Sequence, residues 1–445
     1  MSRKPFDRNQ KRELLTYARD VIEEFEKGVI LKGDPNPHDW GGNGMVYFFP
    51  YAARFTDEFL NARRKFTVLA SRMLKARIAH EKTIMNMCKM AGQEYVKRNG
   101  EAKGVVYSIE NAAKELVDKV LSQAGKEYKY LSPNFVVRHS DDRIIRLGRV
   151  QSMRTVIAKD NTFLSSQDKV ILTVENSLGH SFNEDGTAEL NMPGSVWVVE
   201  VPAAKANVPE EAKWLVDVAV SLMRLVYRGW KSHFPRIGEL EFHPIHPTEF
   251  ALPQITLDGE AVHVTGWTLP GWYEVDADVA TAMNDAENQS KGDIIFDPPD
   301  HSLAQRVAQG LGWMSRGRQS ADRSERLLYF FTALESLLTS SNVNDPVTQT
   351  ISRYASIIYV QEVKSRIVVY NQIRNLYALR SSVVHGGRRE VLWQDVNALQ
   401  TYVETVFWLV LHRCDLSMRQ EAFEQSLRDA SHGLRWEFAA PSEES

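Results

Sequence analysis

Arg380 and His385 lie five positions apart in the stretch Tyr377-Ala378-Leu379-Arg380-Ser381-Ser382-Val383-Val384-His385-Gly386-Gly387. A guanidinium holds phosphate oxygens through paired N–H donors, and an imidazole moves protons near neutral pH. Together they suit work on a phosphodiester. Five helical positions turn about 140°, so the two side chains do not share a stripe. Both can border one cleft if the helix loosens at Gly386.

Spacing alone does not select this pair. With 12 histidines in the chain, about one Arg-x4-His match is expected by chance. A second match exists at Arg228 and His233, but Gly229 follows its arginine and Phe234-Pro235 follows its histidine, so no helix fixes it. Two further candidates are weaker. His243 and His246 are three apart across Pro244 and lack a third ligand at diagnostic spacing, so no metal site is expected. The Gly33–Gly44 loop lacks the lysine and Ser/Thr of a phosphate-cradling loop and reads as plain surface.

Elements that would position Arg380 are legible around it. An unbroken helical run from Val363 leads into the arginine through Asn371-Gln372-Ile373-Arg374-Asn375-Leu376. Upstream, Arg326 to Leu338 reads as an apolar helix with one carboxylate, Glu335, among Leu334, Leu337 and Leu338. A lone carboxylate in such company wants a cation or a donor, and a bundle arginine is the natural one. Basic residues surround the motif: Arg353, Lys364, Arg366, Arg374, Arg388 and Arg389, against Glu362 and Glu390. Arg374, Arg388 and Arg389 are therefore candidate phosphate contacts.

At 445 residues the chain exceeds one typical domain. Residues 1–130 read as a helical section, with helices at 10–28 and 108–124 and one long helix or helix pair across 51–91. A basic face there, Arg63, Arg64, Lys65, Arg72, Lys75, Arg77, Lys82 and Lys89, reads as solvated. Residues 131–290 read as α+β: short β-branched runs at 135–137, 144–145, 155–157, 170–173 and 196–199, a helix at 209–230, and strands at 237–243, 251–257 and 261–268. Residues 284–300 read as a linker, 301–430 as an all-α bundle, and 431–445 as a tail.

Composition is that of an ordinary globular protein, and a net charge of −3 excludes a globally basic nucleic-acid binder while leaving room for a local patch. Cys88 and Cys414 have neither disulfide-framework nor zinc spacing and point to a reducing compartment. With no apolar leader and no run of about eighteen apolar residues, a cytoplasmic chain without a membrane contact is expected.

Residues 301–430 resemble a HEPN domain of the Apea-like branch. The resemblance rests on Arg326-Leu327 through Phe331-Thr332-Ala333-Leu334-Glu335-Ser336-Leu337 and on Leu376-Tyr377 through Arg380-Ser381-Ser382-Val383-Val384-His385-Gly386. Ser381 stands where many members carry Asn, Asp or His. The expected fold is thus the α+β N-terminal region read above followed by a helical bundle that the resemblance marks as HEPN-like. The resemblance further implies a metal-independent endoribonuclease with no cofactor, active as a homodimer whose two Arg/His pairs form one composite site. In that reading His385 is general acid or base, Arg380 clamps the phosphate, and Ser381, Glu335 and Tyr377 support them. Attack by the ribose 2′-OH would leave a 2′,3′-cyclic phosphate and a 5′-OH, selecting RNA over DNA. RNA, tRNA included, is the implied partner. Phage defence or growth arrest is the implied role, with a phage-derived trigger or an antitoxin as regulator. The alternative is a non-catalytic dimerisation or ligand-sensing bundle.

Overall fold

A computed structural model describes residues 8–30, 45–48, 51–74, 81–101, 106–122, 127–160, 170–175, 179–184, 187–203, 207–231, 233–246, 254–258, 261–265, 270–339, 346–387 and 390–438. The chain divides into two compact units, Met1–Tyr128 with Val201–Glu211, and Lys129–Glu200 with Ala212–Ser445.

The first unit is built on α1 (Arg8–Lys27), whose Leu14, Ala18, Val21, Ile22 and Phe25 recur at helical spacing and are buried. Strands β1 (Val29–Ile30), β2 (Met45–Phe48) and β3 (Tyr51–Arg54) form an antiparallel sheet in the order β1-β3-β2. Then come α2 (Asp57–Leu74), α3 (Glu81–Glu101) and α4 (Ile109–Leu121), which pack with α1. The 51–91 stretch is thus a strand and a helix pair, and the section expected to be helical also carries strands. Aromatic rings bind α1 to α2: Phe25 meets Phe59 edge-on at 5.4 Å. Arg63, expected on a solvated face, instead lies 5.7 and 5.6 Å from the rings of Phe55 and Phe59. Lys75 and Arg77 of that face, and the Gly33–Gly44 loop, lie outside the described residues.

The second unit opens with β4 (Tyr128–Pro133), β5 (Val137–His139), β6 (Ile145–Leu147), β7 (Val150–Arg154), a short helix α5 (Thr155–Asp160), and β8 (Val170–Val174), β9 (Gly179–Phe182), β10 (Ala188–Met192) and β11 (Ser195–Val201). Four strands pair in the order β4-β11-β7-β6, and three in the order β8-β10-β9. β11 is buried at every position but Glu200, as its unbroken apolar run requires of a strand covered on both faces. The run 155–157, expected as a strand, is the start of α5. The ladder with β11 runs to Arg154 opposite Ser195, Thr155 still donates its N–H to Gly194 O at 3.0 Å, and the chain then turns into α5.

Helix α6 (Val208–Val226) follows, then β12 (Gln254–Asp258), β13 (Ala261–Thr265) and β14 (Tyr273–Val275), the last parallel to β5. The expected strand at 237–243 is reduced to a single bridge between Glu241 and Gly271, because Gly238 adopts φ 87° and Pro244 ends the segment. The expected linker at 284–300 holds α8 (Ala286–Phe296), preceded by α7 (Ala277–Met283). Asp285 caps α8 by accepting from Asn288 N, and Ile295 and Phe296 are buried.

From there the chain is helical: α9 (Leu303–Gln319), α10 (Arg323–Leu338), α11 (Val347–Tyr359), α12 (Val363–Gly386), α13 (Trp393–Arg413) and α14 (Gln420–Ser431). The fold is mixed α+β with a helical C-terminal part. Close approach within it depends on Gly310, where a Cβ would sit 2.1 Å from Phe407 Cζ. The expected tail begins anchored, since Trp436 is buried and its Nε1–H donates to Ser426 Oγ at 3.3 Å. Among the described residues no helix is long and apolar enough to cross a membrane.

Candidate active site

Two helices build the site. α10 is capped by Asp322, whose carboxylate accepts from Ser324 N and Glu325 N, and it buries Phe331, Leu334 and Leu337. That burial leaves Glu335 on the neighbouring stripe, facing α12. On α12, Ile373, Leu376 and Tyr377 are buried, and Arg380 follows Tyr377 by three positions, one turn along the same face.

Glu335 Oε1 is the focus. Tyr377 donates its hydroxyl to it at 2.8 Å, and Arg380 Nη2 lies 3.3 Å from it. The guanidinium also stands 5.4 Å from the Tyr377 ring centroid, and Tyr377 meets Phe331 edge-on at 5.0 Å. Glu335 and Arg380 each keep 23% of their side-chain exposure, so the pair is neither sealed in the core nor fully solvated. Arg380 Nε is buried with no hydrogen-bond partner. Burial, helped by the hydrogen bond to the Glu335 carboxylate, pushes the Tyr377 phenol up to about 12. It therefore stays a neutral donor and cannot serve as a base at physiological pH.

His385 stands in the last turn of α12, exposed, with no hydrogen bond or ion pair among the described residues. The helix does not loosen at Gly386. It runs through that residue and ends at Gly387, which takes the left-handed conformation at φ 64° and donates its N–H to Ser382 O. The fold therefore gathers Glu335, Tyr377 and Arg380, and leaves His385 apart on the turning helix. Ser381 is half-buried with no side-chain hydrogen bond among the described residues. Arg374 is exposed on α12. Arg388 and Arg389 lie outside the described residues. Arg366, counted in the basic neighbourhood, is turned inward, donating to Val360 O at 3.0 Å and reaching Ala430 O at 3.5 Å.

The competing pairs are not assembled for chemistry. Arg228 lies 3.8 Å over the Trp408 ring, whereas His233 stacks on Trp272 at 4.2 Å. His243 and His246 have ring centroids 4.8 Å apart, but His243 Nδ1 accepts from the N–H groups of Ile245 and His246. Burial pulls His243 down to about 4. Among the described residues no three His, Cys, Asp or Glu side chains are grouped to hold a metal.

Sequence reasoning missed a second charged centre. Glu241 Oε2 accepts from Arg318 Nε at 2.7 Å and from the Tyr273 hydroxyl at 2.8 Å, all fully buried. These residues are 77 and 32 positions apart, so no local pattern announces them. Compared with protein-family models, curated proteins and solved structures, the chain finds no match in any of the three.

Proposed function

We propose that the chain is a metal-independent endoribonuclease of the HEPN type, acting as a homodimer on RNA, with tRNA among its substrates. The observation that carries the reading is the Glu335–Tyr377–Arg380 cluster: a guanidinium held in place from one side, with His385 one turn and a half further along the same helix. The held Arg380 would bind the scissile phosphate and stabilise charge on the phosphorane, and His385 would move the 2′-OH or 5′-O proton. Because five helical positions turn about 140°, one copy presents the two groups in different directions. A second copy would supply the complement. Support for that comes from α12 itself, where Val363, Ile367 and Val368 are 58, 62 and 57% exposed. The biological role proposed is defence against phage or growth arrest, under control of a trigger or an antitoxin.

The test is to incubate the purified chain with total RNA and with tRNA and to sequence the ends. Arg380→Ala and His385→Ala should each lower cleavage by about 10²-fold or more, with circular dichroism unchanged. Undiminished cleavage in both variants refutes the reading. A second reading is favoured by the Arg380–Glu335 ion pair: a non-catalytic bundle for dimerisation or ligand sensing, in which the arginine only satisfies the carboxylate. It predicts no RNA cleavage at all and a loss of stability in Arg380→Ala.

A further inference from the structure

Helix α6 is buried on every side from Leu215 to Leu225, yet three residues of that stretch are polar: Asp217, Ser221 and Arg224. At about 100° per residue they fall within a stripe about 60° wide, while the apolar residues between them spread over about 220°. A surface helix turns such a stripe to water. In α6 the stripe meets the C-terminal helices instead, and each of its members has its own partner there.

Asp217 Oδ1 accepts from Ser315 Oγ at 3.0 Å and from Gln319 Nε2 at 2.8 Å, both on α9. One turn on, Ser221 Oγ accepts from Arg318 Nη2 of α9 at 2.9 Å. A further turn on, Arg224 Nε donates to Glu404 Oε1 of α13 at 2.9 Å. Asp217, Ser221, Ser315 and Arg318 are at most 1% exposed, so these bonds form out of water. α9 in turn packs along α10, the helix that carries Glu335.

Apolar burial has no direction, and a helix covered on every side keeps its apolar groups dry at many rotations. Hydrogen bonds do have direction. Turning α6 by one residue would leave Asp217 and Arg224 as buried charges without partners, which a core does not tolerate. The same pairs add little net stability, because desolvation offsets their attraction. We propose that Asp217, Ser221 and Arg224 are a register lock: they fix the rotation of α6 against α9 and α13 by penalising every other rotation, without stabilising the folded chain. The lock does not depend on the chemistry of Arg380 and His385.

Two measurements on the full chain test it. Arg224→Met/Glu404→Met and Asp217→Val/Ser315→Ala each replace both partners of a link, and their urea midpoints should equal or exceed that of the wild type. Combining these four substitutions with Ser221→Ala removes the lock. In methyl spectra of the deuterated, methyl-labelled wild type, Val216, Val218, Val220 and Leu222 should give one set of resonances. The combined variant should give several sets, or one set whose cross-peaks to α9 and α13 have changed, and either outcome supports the proposal. One sharp set with wild-type cross-peaks overturns it, because packing alone then sets the register. A lowered midpoint in either paired variant also overturns it, because the contacts then stabilise the fold. If the combined variant does not fold, Ser221 is restored and the same spectra of the remaining four-substitution chain decide.

Discussion

Tyr377 donates its hydroxyl to Glu335 Oε1 at 2.8 Å, joining α12 to α10 at the oxygen that Arg380 also approaches. The carboxylate therefore has two partners on one helix, three residues apart, and Arg380 is oriented by a hydrogen-bonded acceptor rather than by a free one. Under the proposed ribonuclease reading, such orientation would let Arg380 meet a phosphate in one geometry.

Removing the hydroxyl isolates that effect. Tyr377→Phe should cost about 1.5 kcal/mol of stability, the lower end for a hydrogen bond to a charged group, because the site is partly solvated. RNA cleavage should fall less than in Arg380→Ala. Urea denaturation and end-sequencing on the same preparations check both. A variant as inactive as Arg380→Ala would mean that Tyr377 itself touches the substrate.

Cleavage by 2′-OH attack with an arginine and a histidine needs no Lewis acid. Millimolar chelator should leave the pattern of RNA ends unchanged, and the 5′ ends should carry hydroxyl groups. Activity that disappears with chelator and returns with a divalent ion would reject the Arg380–His385 chemistry.

His139 makes stability depend on pH. Burial pulls its imidazole from 6.5 to about 4, while Nε2 stays 2.7 Å from Ser152 Oγ. Arg154 pushes in the same direction and Asp141 opposes it. Between those values the unfolded chain takes a proton that the folded chain refuses. The contribution is complete above about pH 6.5 and is lost as pH falls to about 4, on the order of 3 kcal/mol. His243, also pulled down to about 4, adds to the same window. Denaturation midpoints measured from pH 7 to pH 4 should fall steeply in the wild type and less steeply in His139→Gln.

The Glu241–Arg318 pair should be costly to break from one side. Glu241→Ala leaves a buried guanidinium and the Tyr273 hydroxyl unmatched, and should cost about 3–5 kcal/mol. The double variant Glu241→Leu/Arg318→Met should recover most of that loss, since an apolar replacement of both partners removes the unpaired charge. Chemical denaturation of the single and double variants measures the difference. Equal losses in both would mean that the surrounding packing, rather than the charge, carries the stability.

Sequence alone determined the elements whose signal is local. The helical spacing of Leu14, Ala18, Val21, Ile22 and Phe25, the apolar run of β11 and the helix leading into Arg380 each lie within one window of chain, where backbone periodicity fixes the pattern. The Glu335 carboxylate was also readable as a group in need of a cation, because a lone acid among leucines carries its own desolvation cost. Tertiary structure decided what depends on distant neighbours. The ladder with β11 ends near Arg154 and Ser195 and residues 155–157 pass into a helix, and 237–243 lost its strand to Gly238 and Pro244. Arg366 turned inward to reach Ala430 O, a carbonyl 64 positions along the chain that its own helix does not reveal. Only packing could say that Tyr377 would share the Glu335 oxygen with Arg380, or that Arg228 would lie on Trp408. These contacts join residues 42 and more positions apart, and a side chain's partner at that range is set by how helices pack, not by the period of the chain that bears it.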